Sequence, residues 1–190
     1  AVGKTSKRQH MWLKAGIIGQ THIQKNIVSP RFIDLKLGNI CNLKCRICSP
    51  DSSSQWTNDM IKIDPNRKDY WKKFNKDGLW PRQDNKFYED LEKHIDSIRF
   101  FEITGGEPLM IKEQFSILRK CVEAGVANKI EVHYNTNGTQ LPDQAIFDLW
   151  SHFKRVEIAF SIDDIGPQFE YQRHPAKWRE VSQNLIKFKE

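Results

Sequence analysis

The chain has 190 residues, 38% of them hydrophobic and 28% charged, with a net charge of +6 at neutral pH. This is the composition of a soluble globular protein with enough apolar residues for one core. It excludes a helical membrane protein, since no apolar run approaches the ~20 residues a span requires. It also excludes a disulfide scaffold, since there are four cysteines and three of them lie between positions 41 and 48.

Basic charge is concentrated at the start. Residues 1–31 form a basic N-terminal arm; up to Lys36 the chain holds seven Lys or Arg and a single acid, Asp34. A solvated leader is the plain reading, and contact with an acidic partner or nucleic acid is the alternative. The first residue is Ala1 and no signal-peptide pattern follows it, so the chain reads as a fragment of a longer protein. Clustered cysteines without such a signal point to a reduced compartment, the cytoplasm.

The remaining residues, 32–190, read as one domain. Phe32 to Leu37 is a short apolar strand leading into the cysteines. A helix is expected over 51–61, with Asp51 and Ser52 as caps. A polar, aromatic-rich insertion follows at about 62–86, interrupted by Pro65, Gly78 and Pro81. Tyr88, Leu91, Ile95 and Ile98 then recur at helical spacing. The second strand runs from Ile98 to Ile103 and ends in Gly105-Gly106, and its helix carries Ile111, Phe115, Leu118 and Val122 before a stop at Gly125. The third strand, Ile130 to Asn135, leads to Asn137-Gly138 and a helix marked by Ile146, Leu149, Trp150 and Phe153. The fourth, Val156 to Ile162, is followed by a last helix through Trp178, Val181, Leu185 and Phe188.

Strands alternating with helices imply βαβ units, hence an α/β fold with a parallel sheet. Right-handed crossovers put every strand's C-terminal end on one edge, where such folds place their chemistry. Onto that edge converge the cysteine loop, Gly105–Pro108, Asn135–Gly138 and Ser161–Asp164. Four units cannot close a barrel of eight. They form an open half-barrel with a free edge at the fourth strand, so more chain is expected after Glu190.

Cys41, Cys45 and Cys48 have C-x3-C-x2-C spacing. Three thiolates on one short loop can hold one face of an iron–sulfur cube and leave one iron without a protein ligand, as an open catalytic site requires. A zinc knuckle is the alternative; it wants a fourth ligand, and the nearest downstream histidine is His94. A chance cluster of buried free cysteines is the third reading.

The cysteine motif after a first strand, Gly105-Gly106-Glu107-Pro108 after a second, Asn135-Thr136-Asn137-Gly138 after a third and Ser161-Ile162-Asp163 after a fourth together resemble the radical S-adenosylmethionine (SAM) superfamily. The resemblance spans roughly residues 32–190 and is closest to cores that precede SPASM or twitch auxiliary-cluster domains. It implies a partial (β/α) TIM-like barrel, with about four of the usual six or so βα units present. It further implies that Cys41, Cys45 and Cys48 ligate a [4Fe–4S] cluster whose remaining iron is chelated by SAM. Gly105, Gly106, Glu107 and Pro108 would receive the SAM amino group, which suits glycines that permit close approach. Ser161 and Asp163 would contact the ribose or carboxylate, Arg173 would pair with the carboxylate, and Asn137 would line the pocket. Ile47 stands where the family often has an aromatic residue and would cover the adenine. The implied reaction is one-electron cleavage of SAM to a 5′-deoxyadenosyl radical that takes hydrogen from a substrate. A flavodoxin or ferredoxin would be the electron donor. A peptide or protein is the expected substrate; a nucleoside or RNA is the rival, and a non-catalytic zinc or iron–sulfur module the rival from another class.

Three further features are set aside. The insertion interleaves Tyr70, Trp71, Phe74 and Trp80 with lysines, a pattern seen in single-strand binders, but its charges nearly balance and a helix and loop covering the barrel is preferred. Cys121 is expected to be a buried, inert thiol. His133 is read as a core or solvent histidine, with a place near substrate as the alternative.

Overall fold

A computed structural model describes residues 29–82 and 85–189. Residues 1–28, most of the basic arm, lie outside the described residues. Four strands form one sheet: β1 (Phe32–Lys36), β2 (Phe100–Thr104), β3 (Glu131–Thr136) and β4 (Arg155–Phe160). They are parallel throughout and lie in the order β1-β2-β3-β4. Each strand neighbours the next in sequence, as a barrel segment requires. The fold is α/β, an open partial TIM-like barrel of four parallel strands.

Seven helices accompany the sheet among the described residues. They are α1 (Thr57–Ile63), α2 (Lys68–Asp77), α3 (Asn85–Glu92), α4 (Lys112–Glu123), α5 (Gln144–Ser151), α6 (Gly166–Gln172) and α7 (Trp178–Lys187). None is long and apolar enough to cross a membrane.

Period-two alternation decides which strand residues face the helices. Leu35, Phe101, Ile103, Val132 and Tyr134 point one way, into a core with Phe115, Leu118 and Cys121 of α4 and Ile146, Leu149 and Trp150 of α5. Trp150 Nε1 donates to the buried Tyr134 hydroxyl at 3.1 Å, satisfying both polar tips. Cys121 is 0% exposed, and burial pushes its thiol up to about 12. The opposite face is polar. There Asp34, Glu102, His133 and Glu157 stand in register across all four strands.

Several element boundaries depart from the periodicity, each for a local reason. The first helix starts later than expected: a 3-10 turn precedes α1, Ser53, not Asp51 or Ser52, caps that turn by accepting from Gln55 N, and α1 itself has no side-chain cap. The stripe from Tyr88 to Ile98 is not one helix. It breaks after Glu92, and a 3-10 turn at Ile95–Ser97 hands Ile98 over in extended backbone. Strand β4 ends at Phe160, two residues short of Ile162, and Ser161 N makes the last ladder bond, to Thr136 O at 2.8 Å. Helix α6 was not legible, being only seven residues long with Pro167 in its first turn.

The insertion folds as helices beside the cysteine loop. Trp71 and Phe74 are half-buried; Trp71 packs edge-on with both Tyr70 and Phe74, and Tyr70 and Phe74 lie tilted to one another. Gly78 abuts the Asn39 side chain so closely that a β-carbon would overlap it. Asn39 in turn donates to Pro50 O at 2.9 Å, and its carbonyl accepts from Ser54 N at 2.8 Å. One buried residue thus ties the two ends of the loop carrying the cysteines, by its side chain at Pro50 and by its backbone carbonyl at Ser54.

Candidate active site

The chain leaves β1 through Leu37 and turns at Gly38, whose φ is +81°. Glycine adopts that left-handed conformation without the steric penalty other residues meet. The segment Gly38–Ile40 is then held by the loop after β2. Gly106 N donates to Gly38 O at 3.2 Å, and Glu107 N donates to Ile40 O at 2.7 Å. A β-carbon on Gly105 would lie 2.7 Å from Gly38 O; one on Gly106 would overlap the Ile40 carbonyl. Paired glycines are required because two backbones touch directly here. These glycines were expected to permit close approach of a ligand; what approaches them in the structure is the backbone of the cysteine loop.

Beyond Ile40 the loop packs on the last two helices. Cys41, Leu43 and Cys45 form a small apolar cluster with Phe169 of α6, Ala176 and Val181 of α7. Two backbone bonds lock its far side: Lys44 N to His174 O at 2.6 Å and Arg46 N to Gln172 O at 2.9 Å. These bonds hold Arg173 beside the cysteines. Its Nη1 is 3.8 Å from Cys45 Sγ, and its Nε is 2.8 Å from Asp163 Oδ2. The Nε–H is not aimed at the carboxylate, so the second contact is an ion pair and not a directed hydrogen bond.

The three thiols sit in different environments. Cys41 is 7% exposed and Cys45 4%, while Cys48 is half-buried. Burial pushes the Cys41 thiol up, although Leu43 N donates to its sulfur at 3.4 Å. Cys45 and Cys48 titrate together. A hydrogen bond from the Cys45 thiol holds Cys48 down at about 6, helped by Arg173, and the same bond pushes Cys45 up. The pair therefore carries one negative charge more readily than two.

All three sulfur residues line one cavity of about 220 Å³, together with Gly105 and Gly106. Asn137, Ser161 and Arg173 close it from the β3, β4 and α6 sides, and Ile47 stands at its mouth, 69% exposed. Asn137 is fixed from two directions: its Nδ2 donates to Asn42 Oδ1 at 3.0 Å, and its Oδ1 accepts from Thr139 N at 2.9 Å. Its Nδ2 is also 3.8 Å from Cys41 Sγ.

Three candidates from the sequence do not line the cavity. Asp163 stands behind Arg173 as its ion-pair partner. Pro108 is buried at the start of a 3-10 turn. Glu107 is 0% exposed, and its carboxylate accepts from Thr136 Oγ1 and Asn137 N, both at 2.7 Å, and from Leu109 N at 3.1 Å. Burial pushes this carboxyl up, and the three bonds oppose that shift. Glu107 binds the loop after β2 to the loop after β3. Conversely, Leu43, Ser52 and Asn135 line the cavity without having been singled out. Asn135 was within reach, since it opens the Asn-Thr-Asn-Gly motif; the other two carry no pattern.

His94 lies in the turn after α3 and is not among the cavity residues. No set of three or more His, Cys, Asp or Glu among the described residues is arranged to hold a metal ion. A [4Fe–4S] cube bonds each cysteine to a different iron, and three thiols sharing one cavity fit that demand. A larger cavity, about 430 Å³, lies on the helical exterior between α3 and α4 and contains none of these residues. Size does not mark the site here; the convergence of four strand ends does.

Comparison with protein families agrees with this geometry. The profile described as the Radical SAM superfamily matches residues 35–190, from within β1 through α7. No curated protein gives a significant match to the chain. By the extent of that match, the chain belongs to the radical SAM superfamily of enzymes.

Proposed function

We propose that this chain binds a [4Fe–4S] cluster through Cys41, Cys45 and Cys48, holds SAM in the adjoining cavity, and acts on a peptide or protein substrate. The carrying observation is that the three thiols, the Gly105-Gly106 turn and Arg173 line one cavity although they come from three separate parts of the chain. When bound, cluster and SAM supply one-electron cleavage of the sulfonium and a radical able to abstract hydrogen.

The protein's own part is binding and positioning. Gly105 and Gly106 keep backbone, not side chain, against the cavity, so carbonyl groups can accept from an amino group. Arg173 presents a guanidinium that suits a carboxylate, and Asp163 holds it in place. Ser161 offers a hydroxyl to the ribose and Ile47 an apolar cover to the adenine. Asn137 lines the wall beside Cys41. Glu107 serves these groups indirectly, by fixing Asn137. The peptide or protein substrate follows from similarity to the SPASM and twitch cores, and a flavodoxin or ferredoxin is the matching one-electron donor.

The test is anaerobic reconstitution. About four irons and four sulfides per chain are expected, with release of 5′-deoxyadenosine from SAM on reduction. Substitution of Cys41, Cys45 and Cys48 together by Ala should abolish iron binding. Full iron loading of that variant would overturn the assignment.

A further inference from the structure

Asn135 lines the cysteine cavity from the C-terminal end of β3. It lies on the polar face of the sheet, paired in register with Ala159 of β4. One residue pair further down, on the same face, Glu102 of β2 and His133 of β3 are neighbours. Glu102 is 6% exposed, and its Oε1 is shared: Asn135 Nδ2 donates to it at 2.9 Å, and His133 Nδ1 lies 3.1 Å away.

Chemistry fixes the sense of these contacts. An ionised carboxylate accepts and cannot donate. Asn135 must therefore turn its NH2 toward Glu102, and His133 must carry a proton on Nδ1. The Asn135 amide oxygen takes no part in this contact, and the residue borders the cavity. The two ends of this amide have nearly the same shape, and Glu102 makes the shorter contact that tells them apart, since His133 Nδ1 lies 3.5 Å from the same Nδ2. With it, the cavity wall carries an acceptor at that point and not a donor.

We propose that Asn135 is a further ligand-positioning residue of this site, its amide oxygen held as a hydrogen-bond acceptor for SAM by Glu102, with His133 steadying the carboxylate from behind. The inference rests on the proposed binding of SAM in this cavity. The group it meets is an N–H or O–H of SAM, which carries such donors on its amino end, its ribose and its adenine. Glu102 and His133 touch no ligand and act through Asn135.

Equilibrium binding of SAM to the anaerobically reconstituted protein tests this without reference to turnover. Asn135→Ala should weaken binding roughly five- to tenfold, the effect of losing one hydrogen bond. Glu102→Leu, which frees the amide to turn, should weaken it by a similar factor. Glu102→Gln restores an acceptor oxygen and should recover most of the affinity. Because both losses pass through one contact, the Asn135→Ala/Glu102→Leu double variant should bind no more weakly than the poorer single variant. Circular dichroism checks the fold, and Asn135→Ala decides the matter alone if Glu102→Leu does not fold. Unchanged SAM affinity in Asn135→Ala, or additive losses in the double variant, overturns the inference while leaving the functional reading intact. Failure of the unsubstituted protein to bind SAM overturns both.

Discussion

Arg173 stands between Cys45 and Asp163, with Nη1 3.8 Å from the Cys45 sulfur and Nε 2.8 Å from an Asp163 carboxylate oxygen. It joins a cysteine of the loop after β1 to a carboxylate after β4, and itself lies 128 positions from that cysteine in sequence. Only 6% exposed, it brings a fixed positive charge to a wall that otherwise carries thiols and amides. Arg173→Met should keep the packing volume but remove that charge. The expected result is at least tenfold weaker SAM binding, with a thermal midpoint within a few degrees of the original. Asp163→Asn should give a smaller loss in the same direction, because Asp163 is half-exposed and acts only through Arg173. Calorimetric titration with SAM and a melting curve for each variant check this.

Gly106 and Gly125 make a matched pair for testing the contact between loops. A β-carbon on Gly106 meets the backbone of Ile40 and Asn39, whereas one on Gly125 meets nothing within 4 Å and suffers only from its φ of +69°. Gly125→Ala should cost about 1–2 kcal/mol, the penalty of a left-handed alanine. Gly106→Ala should cost more, about 3 kcal/mol or above, since backbone must move. It should also lower iron loading, while Gly125→Ala should not. Urea unfolding and iron analysis of both variants measure the difference.

Glu107 separates two roles that the sequence could not. If its carboxylate serves the loops, Glu107→Gln puts an NH2 against a backbone donor and should destabilise the fold by about 1–3 kcal/mol. Amide exchange at Asn137, whose N–H now bonds Glu107 at 2.7 Å, should accelerate. If instead SAM affinity collapses with stability and exchange unaltered, Glu107 is a direct ligand group and the inward placement is not what matters.

Cys121 is the internal control for the metal site. Fully buried in the main core and absent from the cysteine cavity, it should contribute packing alone. Cys121→Ala should lower stability by about 1 kcal/mol through a small void, with iron and sulfide content unchanged. A drop in iron content would show that the fourth cysteine takes part after all.

The polar loops and the parallel sheet were legible because each depends on neighbours in sequence. Apolar residues at period two or near 3.6 mark strands and helices wherever one face is buried, and β2, β3, α4 and α5 appear close to where their patterns place them. The cysteine spacing was readable for the same reason: three ligands on one loop are a local arrangement. Legibility failed where a signal was short or a side chain had a choice of direction. Helix α6 is too brief to show a period, and Asn135 looks like any strand-end asparagine until Glu102 is seen beside it.

From its residue order alone, this protein was bound to be a parallel α/β half-barrel with three cysteines after its first strand, since burial of apolar faces and loop-local chemistry leave little alternative. Tertiary structure alone decided that Glu107 turns inward to hold Asn137, that Asp163 stands behind Arg173, and that Asn135 joins the cavity. The reason is physical: a polar side chain goes where its hydrogen-bonding needs are met, and the partners that Glu107 and Asn135 find in Asn137 and Glu102 lie 30 or more positions away, while that of Asp163 is across a separate helix.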